Sequence, residues 1–303
     1  MTATIEQTAG MEEAALLGAL EGIIKKTTPT ADSIRGVVEQ VVDERMPRVV
    51  EVHHGELKLG AVDGWVRPEF EKIALAVFTG ENTMLFGPAG CGKTHLCGQI
   101  AKGLDMRFAF CSLTAGITEA RLVGRFVPIG ANGTFQYVPA QFVDFYKSGG
   151  LFLLDELDAA DTNVMLTINA ALANGHMATP DPDEPIIQRH PNFRCVAAAN
   201  TWGHGSDRMY VGRNQLDAAT LDRFQVRFAL DYDAEFERRV GHADVVAFVH
   251  EVRRKIRERS IRRLASTRSI LSYSKLVSAG FNLADVMEMY FLPWSDNEKA
   301  LVA

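Results

Sequence analysis

The chain has 303 residues, 47% of them hydrophobic and 23% charged, and 32 Lys and Arg against 38 Asp and Glu leave a formal charge of −6. That balance excludes a disordered chain and fits one large folded domain with room for a small companion. The acidic pI near 5.8 disfavours a global polyanion binder, though not a local basic face.

In chain order, the first segment lacks the basic start and apolar run of a signal peptide. Leu16, Leu17, Leu20, Ile23 and Ile24 repeat at helical spacing, as do Ile34, Val37, Val38, Val41 and Val42. Residues 1–50 therefore read as an N-terminal helical extension, with a short β-like stretch from Val49 to Val52 and a connector over 51–64. No run reaches the roughly 18 to 20 apolar residues of a spanning helix, so no membrane partner is expected. The four dispersed cysteines, Cys91, Cys97, Cys111 and Cys195, fit neither a disulfide framework nor a paired metal motif. They predict reduced thiols and a cytoplasmic location.

From residue 65 the texture is α/β. Strand-like runs at 82–86, 108–112, 151–154, 195–199 and 226–230 alternate with helical stretches at 93–104, 140–148, 161–173 and 215–222. This predicts a parallel sheet covered on both faces, a core over 65–231. Residues 232–303 read as a small all-helical second domain, with Val245, Val249, Val252 and Ile256 forming its first apolar stripe.

The chemistry concentrates in a few segments. Gly87-Pro88-Ala89-Gly90-Cys91-Gly92-Lys93-Thr94 satisfies the phosphate-loop pattern, after an apolar strand and before a helix. Glycines let backbone N–H groups converge on phosphate, and the helix N-terminus adds positive potential. Lys93 is suited to the β and γ oxygens and the Thr94 hydroxyl to Mg²⁺. Leu151-Phe152-Leu153-Leu154 ends in Asp155, placed for the Mg²⁺ shell, and Glu156, placed to polarise water against the γ-phosphate. Asn200, after a third apolar strand, either orients that water or serves a turn. Arg223 closes a helix before the last strand and suits either a surface pair with Asp222 or a cation supplied by a neighbouring subunit, with Arg213 a competing finger. Cys91 serves the loop structurally as a small side chain, with redox sensitivity the alternative if the helix N-terminus favours its thiolate.

Together these segments resemble the AAA+ ATPases, and within them the MoxR-like group that includes the cobaltochelatase ATPase subunit and similar phage-encoded ATPases. The likeness covers roughly 65–303. GPAGCGKT at 87–94 looks like Walker A, LFLLDE at 151–156 like Walker B, and HPNFRCVAAANT at 190–201 like the sensor 1 strand. YVGRNQLDAATLDRF at 210–224 is similar to the arginine-finger segment, and Arg268 in Ser266-Thr267-Arg268 to sensor 2. Hairpins expected over 125–138 and around 179–185 resemble the inserts of that subgroup. The resemblance implies a Mg²⁺-dependent ATPase in a homo-oligomeric ring, a hexamer, acting on a protein client or adaptor such as a von Willebrand factor A domain protein. It does not carry over metal insertion into a corrin.

A second reading is open. Arg253, Arg254, Lys255, Arg257, Arg259, Arg262 and Arg263 set seven bases against Glu258 within 253–263, a helical face suited either to nucleic acid or to solvent and intersubunit pairs.

Overall fold

The computed structural model describes residues 49–302, apart from 55–56, 130–132 and 207–208. The helical patterns expected before residue 49 lie outside the described residues.

The stretch expected as a connector is instead most of a hairpin. Strands β1 (Val49–His54) and β2 (Leu57–Asp63) pair antiparallel, with a register shift between Val52 and His53. This hairpin lies against helix α2 (Lys93–Gly103), and two glycines set the approach. A Cβ on Gly60 would meet the Gly103 carbonyl oxygen at 2.5 Å, and one on Gly103 would meet the Val52 side chain at 2.8 Å. Helix α1 (Phe70–Phe78) precedes α2 and buries Phe70, Ile73, Ala74 and Val77, one face at 3.6-residue spacing.

The central sheet holds β3 (Thr83–Phe86), β4 (Phe108–Ser112), β7 (Gly150–Asp155), β10 (Phe193–Ala199) and β11 (Val226–Ala229). Its order is β11-β3-β10-β7-β4, and every pairing is parallel, as the alternating pattern predicts. Along β7 the side chains alternate between two cores. Phe152 and Leu154 join Phe142, Tyr146, Ile168 and Phe193 on one face, while Leu151 and Leu153 join Ile73, Leu96 and Ile100 on the other. Phe142 meets Phe152 and Phe193 edge-on, with centroids at 5.2 and 5.8 Å, contacts each contributing about 0.5–1.5 kcal/mol beyond burial.

Between the strands stand α3 (Ala120–Val123), α4 (Gln141–Ser148), α5 (Thr162–Asn174) and α6 (Ala218–Arg223). Both expected hairpins form: β5 (Arg125–Ile129) with β6 (Thr134–Val138), and β8 (His176–Ala178) with β9 (Ile186–Gln188).

After β11 the chain is helical: α7 (Ala234–Val240), α8 (Ala243–Glu258), α9 (Thr267–Ser278), α10 (Leu283–Phe291) and α11 (Asp296–Val302). Val245, Val249, Val252 and Ile256 are all buried in its core with Ile270, Tyr290 and Trp294. The basic run is not one helical face, because α8 ends at Glu258 and leaves Arg259, Arg262 and Arg263 in the segment that follows.

Candidate nucleotide site

Three inner strands, β3, β10 and β7, bring their C-terminal ends side by side, where open parallel sheets bind ligands. The loop after β3 turns through Gly90 (φ +78°) and Gly92 (φ +92°) before α2 opens at Lys93. Both values favour glycine, so the sequence makes the turn where a side chain would be strained. Gly87 is required for a different reason: a Cβ there would meet the Leu230 carbonyl oxygen at 2.4 Å.

A cavity of about 450 Å³ lies over this loop, lined by the Ala89–Thr94 segment, Asp155, Glu156 and Asn200 and, from the helical part of the chain, by Asp233, Phe236, Arg268 and Leu271. Lys93 Nζ donates to the Gly87 and Pro88 carbonyls at 2.7 and 3.2 Å and to Asn200 Oδ1 at 2.8 Å. Thr94 Oγ1 donates to Asp155 Oδ2 at 2.8 Å, while the other Asp155 oxygen accepts the Glu156 N–H at 2.9 Å. Burial lowers the Lys93 pKa, and the Asp155 and Asp158 carboxylates work against that shift.

Glu156 holds a left-handed backbone (φ 57°, ψ 41°), uncommon for a residue with a side chain. Its carboxylate meets Arg213 Nη2 at 3.3 Å, and Arg213 Nη1 reaches Asp158 Oδ1 at 3.3 Å. Asp158 is fully buried, and its other oxygen accepts from the Asn200 and Thr201 N–H groups (3.1 and 3.0 Å) and the Thr201 hydroxyl (2.9 Å). A charge with no exposure needs such partners.

The loop is also gripped from behind. The Ala89 N–H donates to the Tyr210 hydroxyl, and the Tyr232 hydroxyl donates to the Ala89 carbonyl, both at 2.9 Å. Arg67 donates to the Cys91 carbonyl at 3.1 Å and to the Asp231 carbonyl at 2.9 Å. Ser266 closes on the loop from the helical side, since a Cβ on Gly90 would meet the Ser266 Cβ at 2.9 Å.

Behind Arg268, its neighbour Thr267 donates to Glu237 at 2.6 Å. Glu237, with no exposed surface, also accepts two bonds from Arg253 (2.7 and 2.8 Å) and lies 2.6 Å from His250 Nε2. Burial alone would raise the Glu237 pKa, but the Arg253 and Thr267 hydrogen bonds outweigh it and hold the carboxyl below its usual range.

The structure thus brings together Gly87 through Thr94, Asp155, Glu156, Asn200 and Arg268. Arg223 stands apart, contacting Asp222 at 3.3 Å away from the cavity. For Cys91 the structural reading is the one the fold favours: the thiol is buried and its pKa is raised by desolvation, which disfavours the thiolate. Sequence reasoning missed Asp158, Tyr210, Tyr232, Asp233 and Phe236, and for all but Asp233 the chain offers no local pattern. Asp233 does carry one signal, the acid before a helix, and it caps α7 at Glu235 and Phe236.

The basic run is largely neutralised. Arg254 pairs with Glu251 and Glu258, Arg257 with Asp231, Arg263 with Glu298 and Arg253 with Glu237, while Lys255 donates to the Val302 carbonyl. Among the described residues no helix is long and apolar enough to cross a membrane.

Residues 82–224 match the AAA domain (dynein-related subfamily). The aerobic cobaltochelatase subunit CobS of Sinorhizobium sp is 27% identical over 168 residues, 53% of this chain and 51% of that protein. The denitrification regulatory protein NirQ of Pseudomonas aeruginosa is 25% identical over 246 residues, 78% of this chain and 91% of that one. Mouse von Willebrand factor A domain-containing protein 8 is 26% identical over 185 residues, 50% of this chain and 10% of its own length. The chain therefore spans about half the length of the cobaltochelatase subunit and nearly all of NirQ.

Proposed function

We propose that this chain, whose residues 82–224 match the AAA domain, works as an AAA+ ATPase of the MoxR-like group and hydrolyses ATP with Mg²⁺ in the cavity above Lys93. We further infer that turnover in a homo-oligomeric ring, a hexamer, remodels a protein client or adaptor. The observation that carries the chemistry is the convergence of Lys93, Thr94, Asp155, Glu156, Asn200 and Arg268 on one cavity.

The donor set fits the metal. Among the described residues no cluster of three or more His, Cys, Asp or Glu forms an all-protein cage, whereas Thr94 and Asp155 offer two hard oxygens in contact. Mg²⁺ is commonly held this way, by one or two side chains plus phosphate oxygens and water. Thr94 and Asp155 would hold the ion, which supplies neutralisation of phosphate charge when bound. Lys93 and the backbone of Gly90 to Thr94 bind the β and γ phosphates. Glu156 polarises the attacking water, Asn200 positions it, and Arg268 answers the nucleotide from the helical side. Arg223, remote from its own cavity, suits the site of a neighbouring subunit. Closing that site and moving the ring is how hydrolysis would reach the client.

The paired state of residues 253–263 weighs against a DNA-directed ATPase, since neutralised cations release few counterions. A von Willebrand factor A domain adaptor is supported by one relative that carries such a domain by name. Steady-state hydrolysis against Mg²⁺ tests the chemistry: Lys93→Ala is expected to lose nucleotide affinity and Glu156→Gln to bind ATP without turnover. Normal turnover in Glu156→Gln would sink the assignment. Native mass spectrometry in ATP reads ring size, and capture on Glu156→Gln with and without nuclease separates a protein client from nucleic acid.

A further inference from the structure

The segment from Met209 to Asn214 touches each part of the site. Tyr210 accepts from the Ala89 N–H, Arg213 bridges Glu156 and Asp158, and the Asn214 N–H donates to the Asp158 carbonyl at 2.6 Å. The Asn214 side chain donates to the Ala160 carbonyl at 2.8 Å. Arg213 is thus fastened on both sides, and its side chain is only 14% exposed.

A cation that served a neighbouring subunit would stand on the surface with its guanidinium free to leave. Arg213 instead spends both terminal nitrogens on two carboxylates of its own chain. One of these, Asp158, carries the backbone of Asn200 on its other oxygen. A single guanidinium therefore sets the spacing between Glu156 and Asn200, the two groups that must face the same water. Glu156, held in a left-handed backbone, gains from such a restraint.

We propose that Arg213 is a positioning residue acting within its own subunit, holding Glu156 and Asp158 in register with Asn200. This rests on the reading of Glu156 as the group that polarises water. The bidentate fork suits an arginine, and a lysine would reach one carboxylate at a time.

The test is steady-state hydrolysis and nucleotide affinity, by a fluorescent ATP analogue, on the full chain with Arg213→Ala, Arg213→Lys and Glu156→Gln. Misplacing the reacting groups should lower kcat in Arg213→Ala about 10- to 100-fold, with affinity within about twofold and partial recovery in Arg213→Lys. Mixed assemblies of Arg213→Ala with Glu156→Gln, verified by mass spectrometry, should show no more than the sum of the parental rates. Each site would then lack one of two groups that must share a chain. Recovery above that sum places Arg213 across an interface and overturns the proposal, as does an unchanged or raised kcat in Arg213→Ala. If Arg213→Ala fails to fold, Arg213→Gln enters the same mixing test. A Glu156→Gln chain with normal turnover would refute the underlying reading instead, a result independent of the mixing outcome.

Discussion

Arg253→Met probes how the helical segment is held behind the cavity. The substitution keeps length and apolar bulk but strips Glu237 of two hydrogen bonds, leaving a fully buried carboxylate with only Thr267 and His250. Breaking a buried pair from one side costs about 3–5 kcal/mol, because the remaining charge stays desolvated. For the whole described unit that is a fall of roughly 6 to 20 °C in its unfolding midpoint. Arg253 also donates to the Ala265 carbonyl and lies 4.0 Å over the Tyr232 ring, so the loss reaches the Ala89 contact. The double variant Glu237→Leu/Arg253→Met removes both charges and is expected to recover most of the loss. The sign of the pH dependence follows from the lowered Glu237 pKa. Its stabilisation is fully present above the ordinary carboxylate range and is lost as pH falls through the folded value, so the gap between wild type and Arg253→Met should narrow in acid. Thermal and urea unfolding, followed by tryptophan fluorescence, measure both effects; a loss under about 1 kcal/mol in Arg253→Met, or a double variant weaker than the single, would refute the buried-charge argument.

Gly90→Ala meets both a positive φ and the Ser266 side chain, and is expected to destabilise by about 1–3 kcal/mol and to weaken nucleotide binding by calorimetry. Gly92→Ala, with a similar φ but nothing within 4 Å, should show the smaller loss of stability. Because burial lowers the Lys93 pKa, nucleotide affinity is expected to fall with rising pH sooner than it would with an ordinary lysine. Fluorescence titration from about pH 7 to about pH 10 should show that fall, and Lys93→Arg, which stays charged, should flatten it.

What the sequence made legible was local. The strand before Gly87, the apolar run ending in Asp155 and the glycine spacing all act within a dozen residues, so composition and periodicity expose them. The start of β1 was legible as a β-like stretch over Val49–Val52, but its pairing with β2 escaped because the packing depends on Gly60 meeting Gly103, a tertiary match with no repeat in the chain. Asp158 reads on paper as one more acid after Asp155 and Glu156; only the fold buries it under Thr201 and Arg213. The same limit hid the basic run, whose partners Asp231, Glu237 and Glu298 lie tens of residues away.

The grip on Ala89 has a consequence for observation. Ala89 gives its N–H to the Tyr210 hydroxyl while its carbonyl accepts from Tyr232, so that N–H is shielded while the Met209–Asn214 segment is seated. Exchange of that one hydrogen with heavy water is therefore a clock for the segment carrying Arg213, readable without following phosphate release.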